Sequence, residues 1–246
     1  MQSQSPGQPA RQPRLASALN QFAEAFRQHW LSIIVSLLLI YVGLPFLAPV
    51  LKKAGADGLA QAIYQPYKFV CHTYAFRSFF LFGDQLVYPR GEGEGEFERA
   101  TGINPLTPRG LLEARDFQGN ERVGYKVALC QRDIAIYLSM AINGMIFGMA
   151  RRRIRRPIPW PVFVLIGLAP IAIDGFSQLL SQPPLAILPF RESTWALRVL
   201  TGALFGAAIA WLAFPLIESS FAAEERLARV VSTPNSDAPY TPRSTS

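Results

Sequence analysis

Four long, predominantly apolar blocks limit what this chain can become more than any other feature. A helix needs about 20 consecutive apolar residues to cross the hydrocarbon core of a bilayer. The sequence offers such stretches at about 31–51, 127–150, 158–180 and 195–217. Inside lipid every backbone N–H and C=O must be satisfied within its own segment, so blocks of this kind fold as helices. The expected fold class is all-α: an integral membrane bundle of about four transmembrane helices, with amphipathic interfacial helices beside it. Composition agrees, since half of the 246 residues are hydrophobic and only 17% are charged, against roughly 25% in soluble domains.

The segments between the blocks carry their own signals. Residues 1–14 are rich in Gln and Pro and residues 223–246 in Ser, Thr and Pro, so both tails are expected to be disordered. The membrane domain is expected over 15–222. Leu15, Leu19, Phe22 and Phe26 recur at helical spacing, as in a helix lying on the membrane surface before the first span. That first block reads as a full span and not as the short core of a cleaved signal. Pro45 and Pro49 near its end imply a kink or an unwound last turn. Residues 59–82 are crowded with aromatic side chains yet contain Lys68, His72 and Arg77, which suits an interfacial or membrane-dipping helix. Residues 84–126 form an outer polar loop, with a flexible run at Gly91–Glu96 and a turn at Asn104-Pro105. Gly144 and Gly148, like Gly202 and Gly206, stand four apart, the spacing that lets membrane helices approach closely.

The formal net charge of +7 does not mark a nucleic-acid binder. Much of the excess is one cluster, Arg151–Arg156, wedged between two apolar blocks, and no nucleic-acid module is visible. In that position the arginines are topological, because basic loops stay in the cytoplasm. The reading is an inner (plasma) membrane protein with both termini cytoplasmic, although Lys52 and Lys53 pull mildly the other way. Expected partners are the lipid bilayer and other membrane proteins or further copies of the chain, with no nucleic acid.

With this orientation most ionisable residues at the helix ends gather in one outward layer. Cys130, Arg132 and Asp133 open the second span, and Asp174 and Gln178 close the third. Arg191, Glu192 and Arg198 flank the start of the fourth, while Cys71, His72 and Arg77 lie on the interfacial segment. Charges here are expensive unless paired or solvated. One reading is therefore a network of Arg77, Arg132, Asp174, Gln178, Arg191, Glu192 and Arg198 that staples the helix ends, with Arg198 the first choice of partner for Asp174. The other is a polar pocket. Cys71, His72, Cys130 and Asp133 supply thiolate, imidazole and carboxylate groups competent to hold a divalent metal. Cys130 and Asp133 are three apart and share a helix face. A disulfide between Cys71 and Cys130 is the competing use of the same thiols. Pro170, four residues before Asp174, raises a solute- or ion-transport alternative built on a broken helix. A serine-hydrolase reading around Ser78 or Ser193 lacks a nucleophile elbow and has only His29 and His72 to draw on.

The stretches CHTYAFRSFFLFG (Cys71–Gly83), ALCQRDIAIY (Ala128–Tyr137), IDGFSQ (Ile173–Gln178) and REST…LRVLTGALFG (Arg191–Gly206) resemble a family of prokaryotic membrane proteins, domain of unknown function 2085. The resemblance runs over roughly 68–214 and implies a multi-pass membrane protein without assigning it a reaction. It also implies a Cys-x-Arg-Cys pattern where this chain has Cys130-Gln131-Arg132-Asp133. The exchange removes a thiol that a three-cysteine redox relay would need, yet keeps an anionic metal ligand. The functional expectation is a membrane protein acting through a metal or thiols at its outward Cys/His/Asp/Arg layer. Its rivals are a non-catalytic structural or assembly subunit and a small transport component.

Overall fold

The computed structural model describes residues 14–232 apart from Arg152 and Arg155. Most of the expected disordered tails, 1–13 and 233–246, and two members of the arginine cluster lie outside the described residues. Among the described residues four helices are long and apolar enough to cross a membrane: Ser17–Lys53, Gln131–Ala150, Trp160–Leu180 and Trp195–Leu227. The protein is a four-span helical bundle, as its apolar blocks require.

The first span belongs to α1 (Arg14–Lys53), which continues without a break from the amphipathic segment into the membrane block. Pro45 and Pro49 stay inside it and are fully buried. The last span, α8 (Trp195–Ser232), likewise runs past the apolar block, so the tail expected from 223 is helical as far as Ser232. Its exposed continuation carries the i,i+4 pair Glu225–Arg229, which supports an exposed helix. The second span is α5 (Gln131–Ala150). The third consists of α6 (Trp160–Val162), a π-helical turn Phe163–Leu168 and α7 (Ala169–Leu180). Pro170 explains the widened turn, since its ring clashes with the carbonyl four residues back and it has no N–H to donate. The helix is widened there without being broken.

α5 and α8 run in the same direction and cross closely. A Cβ on Gly206 would lie 2.2 Å from the Ile136 carbonyl oxygen, and one on Gly202 would lie 2.8 Å from that of Arg132. Ser139 donates to the Ala203 carbonyl at 2.7 Å and Trp211 to the Asn143 side chain at 2.7 Å, ties that hold helices together where no hydrophobic force separates lipid from protein. Gly144 lies between α1 and α8, where a Cβ would come within 2.7 Å of Val35 and 3.0 Å of Phe214. At the far end, Trp30 is buried among Phe147, Phe214 and Phe221, and its indole N–H meets Glu218 at 3.1 Å.

The largest departure from the sequence reading lies between the first and second spans. The helix expected over 59–82 stops early, as α2 (Asp57–Val70). The chain then turns through a short 3-10 segment, Ala75–Arg77, into strand β1 (Ser78–Leu81). The expected outer loop folds into α3 (Glu96–Thr101), α4 (Pro108–Asp116), β2 (Gly119–Asn120) and β3 (Gly124–Cys130). The strands form an antiparallel sheet in the order β1-β3-β2, with Ser78 opposite Cys130 and Phe80 opposite Lys126. The span expected from 127 therefore starts at Gln131, and its first residues belong to β3. Phe76, Phe80, Tyr88, Phe97 and Val123 fill a small core of their own, so part of the aromatic crowding serves a folded cap and not the headgroup layer.

Lys126 is the unusual member of this cap. It is 1% exposed, and its ammonium donates to the carbonyls of Thr73 and Arg115, both at 2.8 Å. Burial pushes its pKa down from 10.5 to about 7. Between those values the unfolded chain holds a proton at Lys126 that the folded chain does not, so raising the pH favours the fold; below about 7 both states are charged and the dependence ends. The unfolding midpoint of the wild type should therefore rise relative to Lys126→Met from pH 7 to 9.5, at up to about 1.4 kcal/mol per pH unit. A constant difference between the two proteins across that range would show that the buried amine stays charged.

Candidate functional site

Chain geometry brings three potential ligands together at the junction of the cap and the bundle. Cys71 caps the C-terminus of α2 in extended conformation, its N–H bonded to the Tyr67 carbonyl at 3.0 Å. Cys130 ends β3 and caps the N-terminus of α5, and Asp133 sits in the first turn of that helix, where the macrodipole favours an anion. One sulfur of each cysteine and a carboxylate oxygen of Asp133 all lie within 4.8 Å of one another. Both cysteines are unbridged. A hydrogen bond from Cys130 lowers the pKa of Cys71, while the same bond to Cys71, with burial, raises that of Cys130. The pair thus favours one thiolate, at Cys71.

His72 stays out of this cluster. It is exposed and stacks on Tyr74 with ring centroids 5.8 Å apart, lining the adjoining cavity without reaching the three ligand atoms.

Next to the cluster stands an ion network around two buried carboxylates. The Asp174 side chain is 2% exposed; it pairs with Arg132, with Arg191 at 2.9 Å, and accepts from Ser193 at 2.8 Å. Glu192 pairs with Arg77 at 2.9 Å, with Arg90 at 2.6 Å and with Arg198, and accepts from Gln178 at 2.5 Å. Burial pushes the Glu192 carboxyl upward, but the arginines beside it hold its pKa below the ordinary value. Asp174 points into the bundle and meets cations, as lipid exclusion requires. Its expected partner Arg198 is taken by Glu192 instead, because the connection before α8 folds back and places Glu192 beside the first turn of that helix. Arg198 also donates to Gln131 at 3.2 Å, which in turn bonds the Ser78 carbonyl at 3.1 Å and so ties the network to the sheet.

Arg90 and Gln131 were not visible as site residues in the sequence. Arg90 sits in the segment read as a polar loop, and only the folding of the cap carries it to Glu192. Its guanidinium also stacks over Phe76 at 4.6 Å.

Between cluster and network lies a cavity of about 270 Å³, lined by Cys71, Cys130 and Asp133 on one side and by Arg77, Arg132 and Arg198 on the other. Among the described residues Asp133 joins no ion pair, unlike Asp174 and Glu192. The two carboxylates of the network are thus satisfied, while the third faces the cavity with the thiols.

Residues 122–212 match the model of a family described as predicted membrane protein, domain of unknown function 2085. Over that segment, less than half of its length, the chain is similar to this family. The matched segment holds Cys130, Asp133, Asp174, Glu192 and Arg198, and stops short of Cys71, Arg77 and Arg90. An uncharacterized protein of Methanocaldococcus jannaschii is 23% identical over 195 residues, covering 77% of this chain and 93% of the relative. No solved structure is significantly similar. The matched segment thus runs from β3 into α8 and contributes two of the three clustered ligands; the third comes from the chain before it.

Proposed function

We propose that this membrane protein binds a thiophilic divalent metal ion, zinc in the first instance, through Cys71, Cys130 and Asp133 at the outward face of the plasma membrane. The observation that carries this reading is the approach of the three ligand atoms to within 4.8 Å, with the cavity against them. Two sulfurs about 2.3 Å from a tetrahedral zinc lie roughly 3.8 Å apart, so small side-chain rotations would close the site. Three protein ligands leave a fourth position toward the cavity, the arrangement of zinc sites that act on a ligand and not of purely structural ones. The lowered pKa of Cys71 supports metal uptake, because the thiolate is the ligand form. The satisfied network around Asp174 and Glu192 acts as a brace, and its role is to hold the helix ends that carry the site.

Cobalt(II) tests the site directly in detergent-purified full-length protein. One equivalent should give the near-ultraviolet thiolate-to-cobalt charge-transfer absorption and be displaced by zinc. Cys71→Ser or Cys130→Ser should abolish that absorption, and Asp133→Asn should weaken binding at least tenfold. Absence of absorption with both thiols free would overturn the reading, and finding them bridged would leave the disulfide in its place. Orientation is checked in the same cells: a cysteine at Gly93 should react with an impermeant maleimide and one at Arg153 should not. The reverse pattern would move the site to the cytoplasmic face.

A further inference from the structure

The cavity does not stand alone. Beside it runs an apolar groove of about 630 Å³ on the lipid-facing side of the bundle, lined by Ile34, Leu37 and Tyr41 of α1, Tyr67 and Val70 of α2, and Tyr137 of α5. Val70 lines both spaces. Tyr137 stands one helical turn after Asp133, and Tyr41 packs edge-on against Tyr137 with centroids 4.8 Å apart. Aromatic side chains with polar tips mark the headgroup level, so the groove meets the cavity where a bilayer changes from chain to headgroup.

The charge count of the layer points to the kind of occupant. Five arginines, Arg77, Arg90, Arg132, Arg191 and Arg198, share the carboxylates of Asp174 and Glu192. With Asp133 the layer still holds two more cations than carboxylates. Arg132 also has a buried Nε with no hydrogen-bond partner, and three of the arginines line the cavity. Guanidinium charge in excess of the carboxylates that share it is costly next to hydrocarbon, and a phosphate oxygen is its natural complement.

We propose that cavity and groove form one site for an anionic phospholipid, its phosphate against Arg77, Arg132 and Arg198 and one acyl chain along α1. Basic pockets between membrane helices bind headgroups of this class, and the adjoining groove gives the chain a place that free phosphate does not need. The site stands whether or not a metal occupies the cysteine cluster.

Thermal unfolding of the delipidated full-length protein in detergent tests it, with short-chain phosphatidylglycerol, short-chain phosphatidylcholine and inorganic phosphate as probes. Phosphatidylglycerol should raise the midpoint by several degrees, phosphatidylcholine should have little effect, and phosphate alone should give less than half the shift. Arg77→Gln leaves Glu192 with Arg90 and Arg198, so it should fold and at least halve the phosphatidylglycerol shift. Leu37→Trp, at a lipid-facing position that is 60% exposed, should do the same by filling the groove. Cys71→Ser should keep the full shift, which separates this site from the metal site. Equal shifts with both lipids, or a wild-type response in Arg77→Gln and Leu37→Trp, would overturn the proposal. A full shift with phosphate alone that Leu37→Trp does not reduce would assign the cavity to the free ion instead.

Discussion

Glu192→Ala should destabilise the protein by about 3–5 kcal/mol, the range seen when one partner of a buried ion pair is removed. The side chains of Arg90 and Arg198 are only 4% and 5% exposed, so water is a poor replacement for the lost carboxylate. Arg77 is 26% exposed and can turn toward solvent. Arg90 keeps its stacking on Phe76 and Phe190, which leaves Arg198 as the main stranded charge. Domain stabilities lie near 5–15 kcal/mol, so the variant should lose a large part of its stability and yield little folded protein. Glu192→Gln should be nearly as damaging, because it restores hydrogen-bond acceptance without the charge. Adding Arg198→Met to Glu192→Ala should recover part of the loss. Unfolding midpoints in detergent measure all three, and a Glu192→Ala protein within 0.5 kcal/mol of wild type, roughly the size of an ordinary surface effect, would mean that the arginines are solvated.

Gly206→Ala should open the α5–α8 seam at a cost of about 1–3 kcal/mol, the range for overpacking a filled interior. Its Cβ would sit 2.2 Å from the Ile136 oxygen and 3.0 Å from the Ile136 carbonyl carbon. Backbone atoms have no rotamer by which to retreat, so the helices themselves must part. Arg198 and Arg132 lie at the same end of these helices, so the damage should reach the cavity as weaker cobalt binding. Gly43→Ala is the matched control, since a Cβ there meets nothing within 4 Å. It should be neutral or mildly stabilising, because alanine is the better helix former by about 1 kcal/mol. Equal effects of the two substitutions on the unfolding midpoint would refute the close crossing.

Much of the site was legible because charge is so conspicuous against an apolar background. Asp174, Glu192, Arg132 and Arg198 could be assigned to one level from their distances to the span ends alone. Their pairing could not, since which guanidinium reaches which carboxylate depends on the path of the short connection that carries Glu192. His72 and Cys71 are equivalent candidates in the sequence, and only the fold separates them. Arg90 shows the opposite failure: nothing in its neighbourhood sets it apart from a solvated loop residue.

The sequence by itself determined the four spans and the common level of their polar ends, because lipid enforces apolar length and penalises every unpaired charge wherever the chain goes. Only the tertiary structure decided the cap. Residues 74–130 contain short apolar stretches compatible with an interfacial helix, a loop or a strand, and long-range pairing of Ser78–Leu81 with Gly124–Cys130 selects among them. That pairing sets Cys130 beside Cys71 and buries Lys126, so the chemistry of the cavity depends on contacts between residues some fifty positions apart, which no local pattern encodes.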